Sequence, residues 1–366
     1  MKNTFGQSVS VTLFGESHGK AIGAVIDGLA PGIEVSEDFI ESQLTKRRPA
    51  GKTGTARREA DKFQILSGVF EGKTTGTPLC IIIPNEDTKS RDYLKTRFLA
   101  RPGHADYTAN CKYHGFEDYR GGGHFSGRIT AALVAAGAIA ISALRPKGIY
   151  IGTHVMRCAG VSDRKFENIN SDLEKLNSLD FAVLDDTAKD KMIKEIEKAA
   201  ADGDSVGGIL ETAVCGVPAG VGEPWFDTME SVLSHILFSI PAIKGVEFGA
   251  GFAAADMRGS EDNDDFIAEN GKVITKTNHS GGINGGITNG MPIIIKCAVK
   301  PTPSIYKKQN TVDFSKGENA ELLIEGRHDP AIIHRARVVV DSAVALTLCD
   351  MLSLRFGTDY LSGGSI

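Results

Sequence analysis

Gly121-Gly122-Gly123-His124-Phe125-Ser126-Gly127-Arg128 runs directly into Ile129-Thr130-Ala131-Ala132-Leu133-Val134-Ala135-Ala136-Gly137-Ala138-Ile139-Ala140-Ile141-Ser142-Ala143-Leu144, and Arg145-Pro146 closes the run. Ser126 can cap a helix at its front and Pro146 stops it at the back, so the spacing predicts a helix here. No polar stripe interrupts its apolar residues, which is the pattern of a helix covered on every side. Ile129 to Leu144 is only 16 residues and rich in Ala and Gly, too short to span a bilayer comfortably. The segment is therefore expected at the centre of a folded core.

Its neighbours supply the cover. Before it, Val9–Phe14, Ile22–Ile26, Phe63–Phe70 and Pro78–Pro84 have strand character, the last two as a pair joined through glycines. After it, Tyr150–Met156, Val206–Cys215, Val246–Phe252 and Ile293–Val299 do the same. Ser36, followed by Glu37 and Asp38, marks a helix start that runs to about Lys46. Asp227–Phe238 and Val340–Leu354 have amphipathic helical spacing. Lys165–Asp204 is a charged peripheral insertion, helical from Lys189 to Ala201, and Asn85–Tyr119 is polar and irregular. There is no internal repeat and no linker with a composition shift. The expectation is one compact α+β domain over residues 1–366, layered as sheet against helix against sheet.

Composition sets the limits. Of 366 residues, 41% are hydrophobic and 24% charged, which excludes a disordered chain. A net charge of −5 excludes a general nucleic-acid coat but leaves room for a local basic pocket. The six cysteines form no CxxC pair, the usage of reduced thiols in a cytoplasmic protein. Met1–Ser10 is not a signal peptide. No metal-ligand spacing such as HExxH occurs, so no metal is expected.

Several glycine-rich turns carry chemistry. Gly15-Glu16-Ser17-His18-Gly19 places a histidine between two strands, either as a ligand contact or as a plain surface turn. Arg47, Arg48, Lys52, Arg57 and Arg58 put five cations within twelve residues. Guanidinium forks suit carboxylates and phosphates, although a solvated basic loop has the same composition. Arg101-Pro102-Gly103-His104-Ala105-Asp106 holds Arg, His and Asp in one turn, with Asp106 also placed to cap a helix. Gly121–Arg128 resembles half of a P-loop, but Arg128 and Ile129 replace its Lys and Ser/Thr. A glycine run ending at a helix start is an anion site or a simple capped helix start. Asn278–Gly286, Lys300-Pro301-Thr302-Pro303-Ser304 and Arg327-His328-Asp329-Pro330 are further turns of this kind. Taken together they suggest a site for a highly anionic small molecule, with histidines for proton transfer.

These segments, in order, resemble one family. GESHG at 15–19, RPGHADYT at 101–108, GGG…S-x-R-x-T at 121–130, SI-x-A-x-KGVEFG at 239–249, GGI-x-GG at 281–286, KP-x-x-S at 300–304 and GRHDP at 326–330 are similar to chorismate synthases, collinearly over nearly the whole chain. The resemblance implies a β-α-β sandwich, a homotetramer, and a cytoplasmic lyase of the shikimate pathway and aromatic amino-acid biosynthesis. The implied reaction is 1,4-anti elimination of phosphate from 5-enolpyruvylshikimate-3-phosphate, using reduced FMN with no net redox change. NAD(P)H is a candidate source of electrons for reducing the flavin. No nucleic acid or membrane partner is implied.

By matching motif, His18 stands by the leaving phosphate as proton donor, His104 stabilises the anionic reduced flavin, and Asp329 is the base, relaying the substrate proton through the flavin. Ser17, Arg47, Lys52, Arg101 and Arg128 hold the substrate. His124, Phe125, Ser126, Phe238, Ser239, Gly285, Lys300, Pro301, Thr302, Pro303, Ser304 and Arg327 contact FMN, and Arg327 also reaches the substrate. Two features depart from the pattern. Many relatives read RSSARET where this chain has His124 to Thr130, so His124 and Ile129 replace an Arg and a Glu. Lys52 stands near an expected arginine and lacks its bidentate fork. An FMN-dependent oxidoreductase would call for a dinucleotide fingerprint, which is absent. A non-catalytic phosphometabolite-binding protein would not need His18, His104 and Asp329 together.

Overall fold

A computed structural model of the chain describes residues 2–48, 61–86, 96–324 and 328–363. Two five-stranded antiparallel sheets frame it. The first runs, edge to edge, Thr4–Phe5, Ser10–Gly15, Ala21–Asp27, Leu79–Pro84 and Gln64–Ser67. The second runs Ile243–Phe248, Ile293–Val299, Gly208–Cys215, Tyr150–Cys158 and Val161–Ser162. Leu79–Pro84 and Ile293–Val299 alternate buried and half-buried residues, so each sheet turns one apolar face inward.

The central helix Thr130–Leu144 lies on strands Ala21–Asp27 and Leu79–Pro84 of the first sheet. The helix Ile333–Phe356 lies on Tyr150–Cys158 and Gly208–Cys215 of the second, and the two helices pack on each other. Helix Glu37–Arg47 touches both, and helix Met229–Leu237 packs on Ile333–Phe356. One buried apolar cluster runs through both sheets and the helices between them. Each fully buried Ile or Leu in it, such as Ile22, Ile81 and Ile139, contributes roughly 1.5–3 kcal/mol. Sheet, helices and sheet stand in the expected order, and the α+β class holds. Ser36 caps its helix as expected, accepting from Phe39 N, whereas Ser126 accepts from Arg128 N at 3.2 Å and so caps the 3-10 turn Gly127–Ile129 that leads into the central helix, not the helix itself.

Several expectations need correction. With its flanking 3-10 turns the central helical run covers Gly127–Lys147, long and apolar enough by length and composition to cross a membrane. Burial of 78% of its apolar window inside the structure, rather than shortness, marks it as a core helix. The C-terminal helix begins at Ile333, well before Val340. His334, Arg335 and Arg337 break the apolar pattern there, yet Arg337 is 1% exposed and donates to the carbonyls of Leu176 and Leu179. The polar tract Asn85–Tyr119 contains a helix, Asp106–Tyr113, closed by His114 at a left-handed φ of 57°. The insertion contains a second helix, Ile169–Asn177, that packs on strand Tyr150–Cys158. A polar ribbon, Gln309–Asp313 with Glu318–Leu322, gave no apolar alternation to find it by.

The C-terminal helix also holds the front of the chain. Asp350, 1% exposed, accepts N–H bonds from Gln7, Ser8 and Val9 at 2.7 to 3.1 Å.

Candidate active site

Strand Ser10–Gly15 ends at Gly15, whose φ of 95° turns the chain into Glu16–Gly19. Ser17 is 2% exposed. Its N–H donates to Gly123 O at 3.1 Å, its hydroxyl donates to Arg120 O at 3.2 Å, and the hydroxyl oxygen itself lies 3.2 Å from His18 Nδ1. Gly121 has φ 60°, and a Cβ there would fall 2.2 Å from His18 Cε1. Only glycine satisfies both the conformation and the contact. The two glycine-rich turns, a hundred residues apart, therefore form one wall around His18. His124 Nδ1 lies 2.8 Å from Gly15 O, so that nitrogen carries the proton and the ring braces the same turn. His124 is thus committed to the backbone through one nitrogen. Phe125 is 42% exposed beside this wall.

A second wall joins Arg101–Asp106 to Lys300–Ser304. Asp106 does not cap its helix, contrary to expectation. It takes Arg101 Nε at 2.8 Å and Nη2 at 2.7 Å. His104 Nδ1 faces Pro102 O at 3.2 Å and donates to it, leaving Nε2 to accept from the Ser304 hydroxyl at 3.0 Å. Burial, then the neighbouring Arg101 charge, push the His104 pKa down to about 4, so the ring is neutral near pH 7. Lys300 Nζ donates to Gly103 O at 2.6 Å. A Cβ on Gly103 would meet Pro303 Cβ at 2.7 Å, and Thr302 O accepts from the Ser205 hydroxyl. The two walls approach at Gly122, where a Cβ would lie 3.9 Å from Arg101 Nη2.

The floor is made of arginines around one carboxylate. Asp61 lies 3.0 Å from Arg47 Nη2 and 3.7 Å from Arg48 Nε, and pairs with Arg128 Nη1 through its other oxygen. Burial alone would raise the Asp61 pKa, but Arg47 and Arg128 outweigh it and hold the carboxyl below its ordinary value. Arg128 also donates to Asn85 Oδ1 at 3.0 Å and to Pro84 O. The Asn85 amide in turn donates to Glu16 O and Gly19 O in the His18 turn. On the other side, Arg335 Nε donates to Arg47 O at 2.7 Å, and Arg335 pairs with Asp329. Asp329, with Ser304, Tyr306 and His328, lines a small cleft.

Ser17, His18, Arg47, Arg101, His104, His124, Ser126, Arg128, Lys300–Ser304 and Asp329 are therefore tied into one basin. Lys52 and Arg327, like Arg57 and Arg58, lie outside the described residues. Phe238 and Ser239 sit at the C-terminal end of helix Met229–Leu237, close in sequence to Ala242, whose carbonyl accepts from Lys300 N. Gly285 is set apart, since Gly286 O receives Met229 N at the other end of that helix, roughly 13 Å away by helical rise. Asp61, Asn85 and Arg335 were not anticipated. Their one available signal was an acidic or amide residue near an arginine-rich segment.

The matched motifs and the closed basin set up the comparison with known proteins. The chorismate synthase family model matches residues 9–353. The chain belongs to the chorismate synthase family. Chorismate synthases are lyases of the shikimate pathway. The chorismate synthase of Thermococcus kodakarensis is 47% identical over 350 residues, covering 96% of this chain and 97% of the relative. That of Methanosarcina mazei is 48% identical over 358 residues, and that of Archaeoglobus fulgidus 46% over 353. A crystal structure of a chorismate synthase superposes with a TM-score of 0.75 at 28% identity, covering 96% of this chain and 94% of that one.

Proposed function

We propose that the chain converts 5-enolpyruvylshikimate-3-phosphate to chorismate and phosphate by 1,4-anti elimination with reduced FMN, without net redox change. The observation that carries this reading is the connection of His18 to Asp329 through arginines. The path runs from the His18 turn through Asn85, Arg128, Asp61, Arg47 and Arg335 to Asp329. A group suited to donate a proton and a group suited to accept one thus flank a cationic floor. A substrate carrying a phosphate and two carboxylates needs that arrangement.

In this reading the C–O bond to phosphate breaks and the phosphate leaves with the electron pair, beside His18, which supplies a proton. A C–H bond of the ring also breaks: its electron pair enters the ring as a second double bond, and Asp329 accepts the proton. Arg47, Arg101 and Arg128, with Lys52 and Arg327, bind and orient the anionic groups, and Ser17 fixes the His18 ring.

The residues present fit FMN. Phe125 and Phe238 are 42% and 53% exposed aromatics able to cover a flavin ring. Gly285 has nothing within 4 Å of a would-be Cβ, and Lys300 with Ser304 offers a cation and a hydroxyl to the flavin's polar groups. Bound reduced FMN supplies electron density as phosphate departs. His104, neutral in the free protein, takes up a proton beside an anionic partner. Phe238 and Ser239 would reach the flavin from the C-terminal end of helix Met229–Leu237, and Gly285, at the other end of that helix, would reach a separate part of it.

We further infer one functional unit over 1–366, a homotetramer in the cytoplasm, and no nucleic-acid or membrane partner. NAD(P)H serves only flavin reduction.

The test is an anaerobic assay with the phosphorylated substrate, photoreduced FMN and no nicotinamide. Equal chorismate and phosphate over many turnovers per flavin is the expected result. Product limited to one per flavin, or dependent on NAD(P)H stoichiometrically, favours an oxidoreductase and removes the proposal.

A further inference from the structure

One side chain grips both ends of the turn that carries His18. Gly19 N–H donates to Glu16 O at 3.0 Å, so Glu16–Gly19 is a tight turn with Ser17 and His18 at its two central positions. The Asn85 side-chain amide donates to Glu16 O at 2.9 Å and to Gly19 O at 3.0 Å. Its Oδ1 accepts from Arg128 Nε at 3.0 Å. The orientation of this amide is forced, because carbonyl oxygens only accept and a guanidinium only donates.

The backbone brings Asn85 to this place. It follows strand Leu79–Pro84, whose Pro84 stands opposite Ala21 at the start of strand Ala21–Asp27. Asn85 N–H donates to Lys20 O at 3.1 Å and so extends the ladder one step toward the turn. Arg128 also donates to Pro84 O at 3.3 Å, which ties it to the same strand end. The spacing between the His18 turn and the Arg128 guanidinium is therefore set where two paired strands meet the turn. Among side chains of this length, only a primary amide offers two donors and an acceptor. Asp has no donor for the two carbonyls, Ser has a single hydrogen, and Gln is longer by a methylene.

We propose that Asn85 is a positioning residue for the elimination. It fixes the separation between His18, beside the leaving phosphate, and Arg128, which holds the substrate. Asn85 acts through these two residues and not on the reacting atoms. The proposal rests on the function proposed above for what His18 and Arg128 do. A misplacement of about 1 Å can cost on the order of 10²-fold in rate, so a residue that sets this separation is visible in turnover.

The test compares the full-length parent with Asn85→Asp. The change keeps size and the contact with Arg128, and it sets carboxylate oxygen against the two carbonyls that the amide now holds. With the phosphorylated substrate, kcat is expected to fall at least fivefold while KM stays within threefold, the split that marks an interaction needed in the transition state. On a His18→Ala background the same substitution should change kcat by less than twofold, because the group it displaces is already gone. A residue that only supports the fold would lower both backgrounds alike. A smaller fall in kcat overturns the proposal, as does a loss confined to KM or a loss of equal size on both backgrounds. Should Asn85→Asp not fold, Asn85→Gln keeps the amide and shifts it by roughly 1.5 Å, one carbon–carbon bond. Its kcat is also expected to fall at least fivefold, and a smaller fall overturns the proposal. If the parent itself yields no chorismate, the functional reading fails separately. Amide hydrogen exchange then decides Asn85. Exchange at Gly19 N–H at least tenfold faster in Asn85→Asp, with the central helix unchanged, supports the brace, and parental exchange at Gly19 removes it.

Discussion

Gly137 of the central helix faces Ser342 of the C-terminal helix so closely that a Cβ on Gly137 would fall 2.2 Å from Ser342 Cβ and 2.5 Å from its Cα. The two helices, each lying on its own sheet, touch backbone to side chain at this point. In an ordinary helix interior, replacing Gly by Ala stabilises by about 1 kcal/mol. Here the new methyl group meets backbone, and overpacking of this kind costs about 1–3 kcal/mol. Packing should win: Gly137→Ala is expected to destabilise by about 2 kcal/mol. Adding Ser342→Gly should recover part of the loss. Urea unfolding measures both, and a stabilised single variant would mean the helices are free to move apart.

His154 is fully buried between two carboxylates, with Nδ1 2.7 Å from Asp163 and Nε2 3.0 Å from Glu211. Burial lowers its pKa, but the hydrogen bonds it donates to both carboxylates outweigh burial, and the net direction is up. The stability it contributes is therefore complete below pH 6.5 and is lost as pH rises through the elevated folded value. His154→Gln should cost about 3 kcal/mol at pH 6, since it strands buried carboxylates. The parent-to-variant difference in unfolding free energy should shrink above neutrality. A difference that stays level between pH 6 and 9 would show that the imidazolium is not what binds the two acids.

His334 has the opposite sign. It stacks on Phe181 at 5.6 Å and is 5% exposed. Burial, then Arg335 and Arg337, push its pKa down to about 4. Its contribution is present above pH 6.5 and is lost as pH falls toward 4, by up to about 3 kcal/mol. His334→Phe keeps the stacking and should flatten the acid limb of stability against pH. A parental acid limb in the variant would assign that loss elsewhere.

Asp329→Asn preserves size and the approach of Arg335 while removing the proton acceptor. Affinity for substrate and FMN should hold and turnover should fall by on the order of 10²–10⁴-fold. Single-turnover kinetics at saturating substrate read this directly. A variant within threefold of the parent would take Asp329 out of the chemistry.

His104→Ala should weaken the preference for reduced over oxidised FMN in the presence of substrate. The neutral ring of the free protein, at about 4, has its pKa raised by a nearby anion, and the alanine variant has no proton to gain. Anaerobic titration of both flavin states against parent and variant gives the ratio. An unchanged ratio leaves His104 to its bonds with Pro102 and Ser304.

The layers were legible because their residues obey simple periods. Ile293–Val299 alternates and is found as a strand with those ends, and the run after Ser126 is apolar on every side and is found between the sheets. Legibility failed where polar groups turn inward. Arg337 and His334 look like a solvated helix start but are buried under the insertion. At the site, residue types with obvious chemistry, such as His18, His104 and Asp329, could be named from their turns. Asp61 and Arg335 could not. Their roles depend on which cation or carboxylate lies opposite them in space, and no local spacing encodes a pairing between residues 61 and 128.

The helix Ile333–Phe356 has a consequence for how the chain is made. Its Asp350 clasps residues 7–9, across a separation of 343 residues, and its Arg335 holds Asp329 beside the arginine floor. Synthesis proceeds from the N-terminus, at about 5–20 residues per second. Until this C-terminal helix emerges, the second sheet lacks the cover of its inner face, although the central helix already lies on the first. The nascent chain must carry exposed apolar faces until that helix leaves the ribosome, a state prone to aggregation and to capture by chaperones. The basin also has no functional half-way stage: the segment that closes the core late in synthesis is the one that completes the site, so folding and catalytic competence arrive together.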